Sequence, residues 1–317
     1  MVALTRRAGL AGALSAGAFL TLPAAQALAQ SRLVTRAIPS SGEQLPVIGL
    51  GSSATFSSVA RSEDVTALRE VLAALAANGG TVFDTAPSYG ASEEVAGRIA
   101  RETGLNNRLF WATKLNVARG EGAADPAAAR AQVEQSFQRV GKAKIDLIQV
   151  HNVGDPATQI PILKDLKKQG RVRYIGITST FEGQYPTLIS VMRNEPIDFV
   201  GVDYAVDNRE VEETILPLAQ ERKIGVFGYA PFGRTRLFRR VGDRPLPDWA
   251  AEIDAKTWAQ VFLKWVVGHP AMTVTTPATS QAKNMLDNLG GGVGRLPDQA
   301  LRRRIAAYVD ALPNAPG

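Results

Sequence analysis

Residues 109–151 read LFWATKLNVARGEGAADPAAARAQVEQSFQRVGKAKIDLIQVH. The stretch opens on an apolar run, LFWATK (109–114), and closes on another, IDLIQV (145–150), with His151 directly after it. Near-continuous apolar runs of this length suit strands covered on both faces, the condition of a parallel sheet. Between them, Asp125-Pro126 precedes AAARAQVEQSFQRV, an N-cap followed by proline at the first helical position. Strand, helix and strand therefore follow one another, and each strand carries a chemically active residue at or just past its end, Lys114 and His151.

The same alternation runs outward in both directions. Strand-like runs recur at PVIGLG (46–51), TVFD (81–84), VRYIGI (172–177), DFVGV (198–202), GVFGYA (225–230) and MTVTT (272–276). Helical spacing, clearest in Val65, Leu68, Val71, Leu72 and Leu75, marks 62–78, and similar stretches cover 92–101, 158–169, 184–193, 210–222, 257–268 and 281–289. Eight strands alternating with eight helices is the count of a single (β/α)8 TIM barrel. An open doubly wound sheet needs a glycine-rich phosphate loop after its first strand, and GLGSSATF (49–56) does not fit that pattern. RAIPSSGEQLPVIGL (36–50) reads as an N-terminal β-hairpin turning at Ser41-Gly42 and closing the bottom of the barrel. PDQALRRRIAAYVD (297–310) reads as an extra C-terminal helix, and the aperiodic segment 233–249 as a flap over the site.

Composition narrows the chemistry. The 317 residues contain no cysteine, which excludes disulfides and thiolate catalysis, and only two histidines, which excludes a histidine-rich metal site; we expect no metal. The formal charge of +6 is small for this length, and the basic runs RTRLFRR (234–240) and LRRRI (301–305) read as a loop and a solvated helix face rather than a nucleic-acid surface.

The first 29 residues read as an export signal: Arg6-Arg7, an apolar run from Ala8 to Leu22 too short to span a bilayer comfortably, Pro23, and an Ala27-Leu28-Ala29 cleavage site. Paired arginines before a weakly hydrophobic stretch look like a twin-arginine (Tat) signal, with a plain secretory signal and an uncleaved anchor as the other readings. The expected organisation is a signal over 1–29 and a barrel over 30–317, located in the periplasm after passage through the Tat machinery, with no membrane span once the signal is removed. That pathway moves folded proteins, so a cofactor acquired in the cytoplasm can travel with the chain.

Asp84 ends the strand TVFD, Tyr89 follows five residues later, Lys114 ends LFWATK and His151 follows IDLIQV. Each alone has an ordinary structural role: a cap, a packed ring, an ion pair, a core histidine. At successive strand ends of a barrel they face one pocket. An ammonium beside a phenol lowers the phenol's pKa, a carboxylate keeps that ammonium charged, and an imidazole can donate to the same oxygen. The set can pass a proton to or from a carbonyl or alcohol oxygen.

FDTAPSYGASEEVAGRI (83–99), FWATKL (110–115) and IDLIQVHN (145–152) resemble the signature segments of the aldo/keto reductase family, and the resemblance extends from residue 36 to residue 291. It implies an NAD(P)H-dependent oxidoreductase interconverting a small-molecule carbonyl and an alcohol, with Tyr89 as proton donor, Asp84 and Lys114 tuning it, and His151 orienting the carbonyl. It implies NADPH as cofactor, with NADH possible. GYAPFG (228–233) resembles the segment whose ring stacks on the nicotinamide, which assigns Tyr229 to stacking and Ala230, Pro231, Phe232 and Gly233 to cofactor contact, with Gly51, Thr178 and Ser179 across the mouth. TTPATSQAKNMLDN (275–288) resembles the last cofactor segment: Thr279, Ser280, Gln281 and Asn284 toward the adenosine phosphate, Asp287 and Asn288 toward the adenine. Two positions depart from the family. Gly201 stands where a strand-six glutamine usually holds the carboxamide, and Lys283 is the one cation near the expected 2′-phosphate. These departures keep a second reading in play, a cofactor-binding sensor or partner barrel with little turnover, and export to where NADPH cannot be recycled keeps a third, a lyase or isomerase using bound cofactor transiently.

Overall fold

In the computed structural model, residues 32–118 and 122–313 are described. The proposed signal, 1–29, lies outside them. An antiparallel hairpin comes first, β1 (Thr35–Ala37) against β2 (Gln44–Pro46), with Arg36 opposite Leu45. Eight parallel strands follow in sequential order: β3 (Leu50–Gly51), β4 (Val82–Asp84), β5 (Phe110–Leu115), β6 (Ile145–Val150), β7 (Val172–Ser179), β8 (Phe199–Asp203), β9 (Gly225–Tyr229) and β10 (Val274–Thr275). The barrel closes where Gly49 N donates to Thr275 O (2.9 Å) and Gly51 N to Pro277 O (3.1 Å). A Cβ on Gly51 would lie 2.5 Å from the Thr276 carbonyl oxygen, so the seam requires glycine there.

Helices cover the outside: α1 (Thr55–Val59), α2 (Thr66–Ala77), α3 (Ser92–Glu102), α4 (Pro126–Val140), α5 (Pro156–Lys168), α6 (Tyr185–Asn194), α7 (Ile215–Glu221), α8 (Arg236–Val241), α9 (Trp258–Val267), α10 (Ala282–Gly290) and α11 (Gln299–Asp310). The Asp125 side chain accepts from Ala127 N at 2.9 Å, so α4 starts at the cap its sequence announces. The strand and helix boundaries fall within a few residues of the expected ones, and the first and last barrel strands are shorter because their outer residues form single bridges at the seam.

The fold is therefore the (β/α)8 barrel with N-terminal hairpin and C-terminal helix expected from the alternation. Ile38 and Leu45 from the hairpin region pack with Phe110, Leu147, Tyr174, Phe199 and Phe227 to fill the bottom of the barrel. Edge-to-face contacts lock this floor, Phe199 to Phe227 at 5.3 Å and to Tyr174 at 5.6 Å between centroids. Among the described residues no helix is long and apolar enough to cross a membrane.

The segment 233–249 is not a free flap. It contains α8, whose Leu237 and Val241 are buried, and Arg240 donates to the Val309 and Leu312 carbonyls at 2.7 and 3.0 Å. A helix of six residues is too short to show its period in the sequence, which is why the segment reads as irregular. Two of its arginines pair with carboxylates: Arg234 meets Asp203 at 2.5 Å and Arg236 meets Asp207 at 2.8 Å.

Candidate active site

Side-chain alternation along each strand raises the site above the aromatic floor. Val82, Phe110, Ala112, Leu147, Phe199 and Phe227 belong to the inner cluster. Two residues on, with side chains on the same face, stand Asp84, Lys114, Gln149, Gly201 and Tyr229. Lys114 Nζ donates to both Asp84 oxygens, at 3.0 and 2.8 Å, and to the Thr85 carbonyl at 2.9 Å. Lys114 is 2% and Asp84 3% exposed, so the pair is effectively out of water. The ring centroids of Tyr89 and Tyr229 each lie 5.1 Å from that ammonium. Tyr89 and His151 meet edge to face at 5.9 Å.

All four residues read from the strand ends line one cavity of about 550 Å3 at the barrel mouth. Gly51, Thr178, Tyr229, Ala230, Pro231 and Phe232 line it too. Ser179 and Gly233 do not: the Ser179 hydroxyl donates to Gln184 Oε1 (2.8 Å) and accepts from Phe181 N (3.2 Å), and Gly233 takes a φ of 54° in the turn before α8. Thr279, Ser280, Gln281, Asn284, Asp287 and Asn288 lie outside this lining as well. Thr279 Oγ1 accepts from Gln281 N at 3.1 Å, and Gln281 and Asn284 are exposed. Asp287 accepts from Thr257 Oγ1 (2.9 Å) and Gln260 Nε2 (2.8 Å), which ties α10 to the start of α9. Asn288 is buried.

Sequence reasoning missed Asn152, Arg234 and Thr235 on the cavity wall and Gln149 beneath it. Asn152, Arg234 and Thr235 have positive φ, at 50°, 51° and 75°, a conformation imposed by loop packing and not announced by residue type. Gln149 shares the inward face of its strand with apolar Ile145 and Leu147, where a polar residue was a readable signal.

The electrostatics differ from expectation at Tyr89. Burial is the largest influence and pushes the phenol above its ordinary value, Lys114 draws it down and Asp84 pushes it up; the net direction is upward. Tyr89 is therefore held protonated at neutral pH, the state a proton donor requires. Burial works against the charge on Lys114, but the Asp84 carboxylate outweighs it and holds the ammonium charged. Burial, then the Lys114 ammonium, pushes His151 down to about 3, so its imidazole is neutral, and its Nδ1 is buried without a partner.

The second histidine, His269, is pushed down to about 4, by burial first and the Arg302 guanidinium next. Both folded values lie below the unfolded one, so unfolding takes up protons in acid. The stability held by the neutral imidazoles is fully present above about pH 6.5 and is lost as pH falls toward the folded values. Melting temperature should fall on acidification from about pH 7 to about pH 5, and His269→Gln should flatten that slope.

A parallel barrel whose mouth holds a buried lysine–aspartate pair flanked by a phenol and a neutral imidazole is the site of a proton-transferring enzyme. The chain belongs to the aldo/keto reductase family, whose sequence profile matches residues 47–307. It is 28% identical over 264 residues to the aldo-keto reductase str7 of Strobilurus tenacellus, covering 73% of this chain and 77% of that one. In structure it resembles the glycerol dehydrogenase of Gluconobacter oxydans (TM-score 0.71, 21% identity, 87% of this chain and 95% of that one). It also resembles an aldo-keto reductase of Klebsiella pneumoniae in complex with NADPH (TM-score 0.70, 22% identity, 88% and 94%). At such identities the structural likeness is one of fold. Family membership makes the chain an NAD(P)H-dependent oxidoreductase acting between carbonyls and alcohols.

Proposed function

We propose that residues 30–317 reduce a carbonyl to an alcohol, or run the reverse, with NADPH as cofactor and Tyr89 as the acid. The observation that carries this reading is the Lys114–Asp84 pair, buried and bonded at 2.8 Å, with the Tyr89 ring 5.1 Å from its ammonium. The residues fit a nicotinamide: the small side chains of Ala54, Ala230 and Ala278, with Gly51, line the same cavity as the Tyr229 ring. NADPH, when bound, supplies the hydride. Tyr89 delivers the proton to the substrate oxygen, Lys114 stabilises the phenolate left behind, and Asp84 keeps Lys114 charged and in place. His151, neutral, donates to the same oxygen and orients it. Lys283 is exposed and unassisted near the expected 2′-phosphate, so NADH use belongs to the same reading.

The reading includes export. Arg6-Arg7, the Ala8–Leu22 run and Ala27-Leu28-Ala29 support a Tat signal, and export of a folded chain supports a cofactor carried from the cytoplasm. Protein recovered from a periplasmic fraction, begun at Gln30, is expected to oxidise NADPH in the presence of a reactive aromatic aldehyde. Bound cofactor without turnover would overturn the reductase reading in favour of a sensor, and product without net NADPH consumption would favour a lyase or isomerase.

A further inference from the structure

Tyr229 is held more firmly than a ring that only faces a cofactor needs to be. Gln149 Nε2 donates to its hydroxyl at 3.0 Å, and the hydroxyl in turn reaches Asp84 Oδ1 at 3.4 Å. Gln149 is fully buried, sits directly across the ladder from Lys114, and has its other amide atom, Oε1, without a partner. A buried amide left half satisfied costs free energy, so its place above the apolar floor of the barrel calls for a role. The ring itself lies across Gly201. A Cβ built there would stand inside contact distance of the ring edge, 2.9 Å from the Tyr229 hydroxyl and 2.9 Å from Thr178 Cγ2. Gly201 lies mid-strand with no positive φ, so the missing side chain is a matter of space and not of backbone freedom.

We propose that Gly201 and Gln149 are positioning residues that form a seat for Tyr229. Gly201 opens the inner face of β8 so that the ring drops toward the Lys114–Asp84 pair, and Gln149 fixes its height through the hydroxyl. A glutamine at position 201 cannot share the barrel with the ring in this place, so the seat stands where the family's carboxamide clamp would be. A ring fixed before the cofactor arrives loses little freedom on binding, and this preorganisation strengthens the stacking contact. The proposal rests on the reading of this cavity as a nicotinamide site.

The test is a pair of double-mutant cycles on residues 30–317, read by NADPH Kd from quenching of protein fluorescence and by melting temperature, each independent of turnover. Gly201→Ala should displace the ring and weaken NADPH binding about tenfold, yet change Kd less than about twofold in a Tyr229→Ala background. Gln149→Met, similar in volume, should weaken binding about three- to tenfold, with little effect once Tyr229→Phe has removed the hydroxyl. Equal effects in both backgrounds, or none, overturn the seat. If Gly201→Ala does not fold, the Gln149 cycle alone decides. Failure of the underlying reading looks different: folded wild type then binds no NADPH, which removes the purpose of the seat, while 201–229 coupling remains visible in the melts.

Discussion

Tyr89→Phe is expected to lower kcat by about 100- to 10,000-fold, the contribution of a positioned general acid. The substitution removes one hydroxyl and keeps the ring that meets His151 edge to face at 5.9 Å. Packing is thus preserved, and neither the melting temperature nor NADPH Kd should move appreciably. The loss should fall on kcat, because the hydroxyl acts on charge that develops only in the transition state. Because burial lifts the Tyr89 pKa above the ordinary phenol value, the reduction should not lose its acid anywhere in the neutral range, and a decline of rate with pH belongs above the usual tyrosine range. His151, already neutral down to about 3, should add no inflection near neutrality. A variant within threefold of wild type would move the acid role off Tyr89, and Tyr229, equally close to the Lys114 ammonium at 5.1 Å, becomes the phenol to test next.

Lys114→Met should cost both activity and fold. It leaves Asp84, 3% exposed, as an uncompensated buried carboxylate bonded otherwise only to the Tyr229 hydroxyl at 3.4 Å. Removing one partner of a buried ion pair destabilises by about 3–5 kcal/mol. The sign of the pH dependence identifies the cause. With Lys114 gone, burial, already the largest influence on Asp84 and directed upward, is opposed by no more than the Tyr229 hydroxyl and raises the folded pKa further above the unfolded one. A raised folded pKa gives stability that is present at low pH and lost as pH rises, so the deficit of the variant should shrink on acidification. Adding Asp84→Asn should recover much of the stability and none of the turnover. Denaturant melts of the single and double variants across pH check this; a deficit independent of pH would mean lost packing of the lysine stem rather than a stranded charge.

The parts of the site legible in the sequence are those set by strand parity and strand ends. TVFD, LFWATK and IDLIQV place Asp84, Lys114 and His151 at one level of the barrel, because every parallel strand rises in the same direction and ends at the same mouth. Tyr89 was legible through its motif. What the sequence leaves out are contacts with neighbours distant along the chain. Asp287 in SQAKNMLDN shows no sign of the hydrogen bonds it accepts from Thr257 and Gln260. The basic run 234–240 reads as a loop, yet Arg234 and Arg236 are paired with Asp203 and Asp207, and Arg240 is buried against carbonyls at the C-terminal end of α11.

Taken by itself, the sequence determined the alternation of strands and helices, the closed parallel barrel, and the set of groups available for proton transfer. These follow from period and parity, which are properties of neighbouring residues. Only the tertiary structure decided the electrostatic sense of those groups and the depth of Tyr229. Closing the barrel brings Asp84, Lys114, Gln149, Gly201 and Tyr229, which lie on separate strands, into one dry layer above the aromatic floor. There burial outweighs the pull of the ammonium on Tyr89, and the space left by one glycine is filled by a ring from the next strand. Desolvation and steric fit are sums over everything that surrounds a group, and no stretch of neighbouring residues contains them.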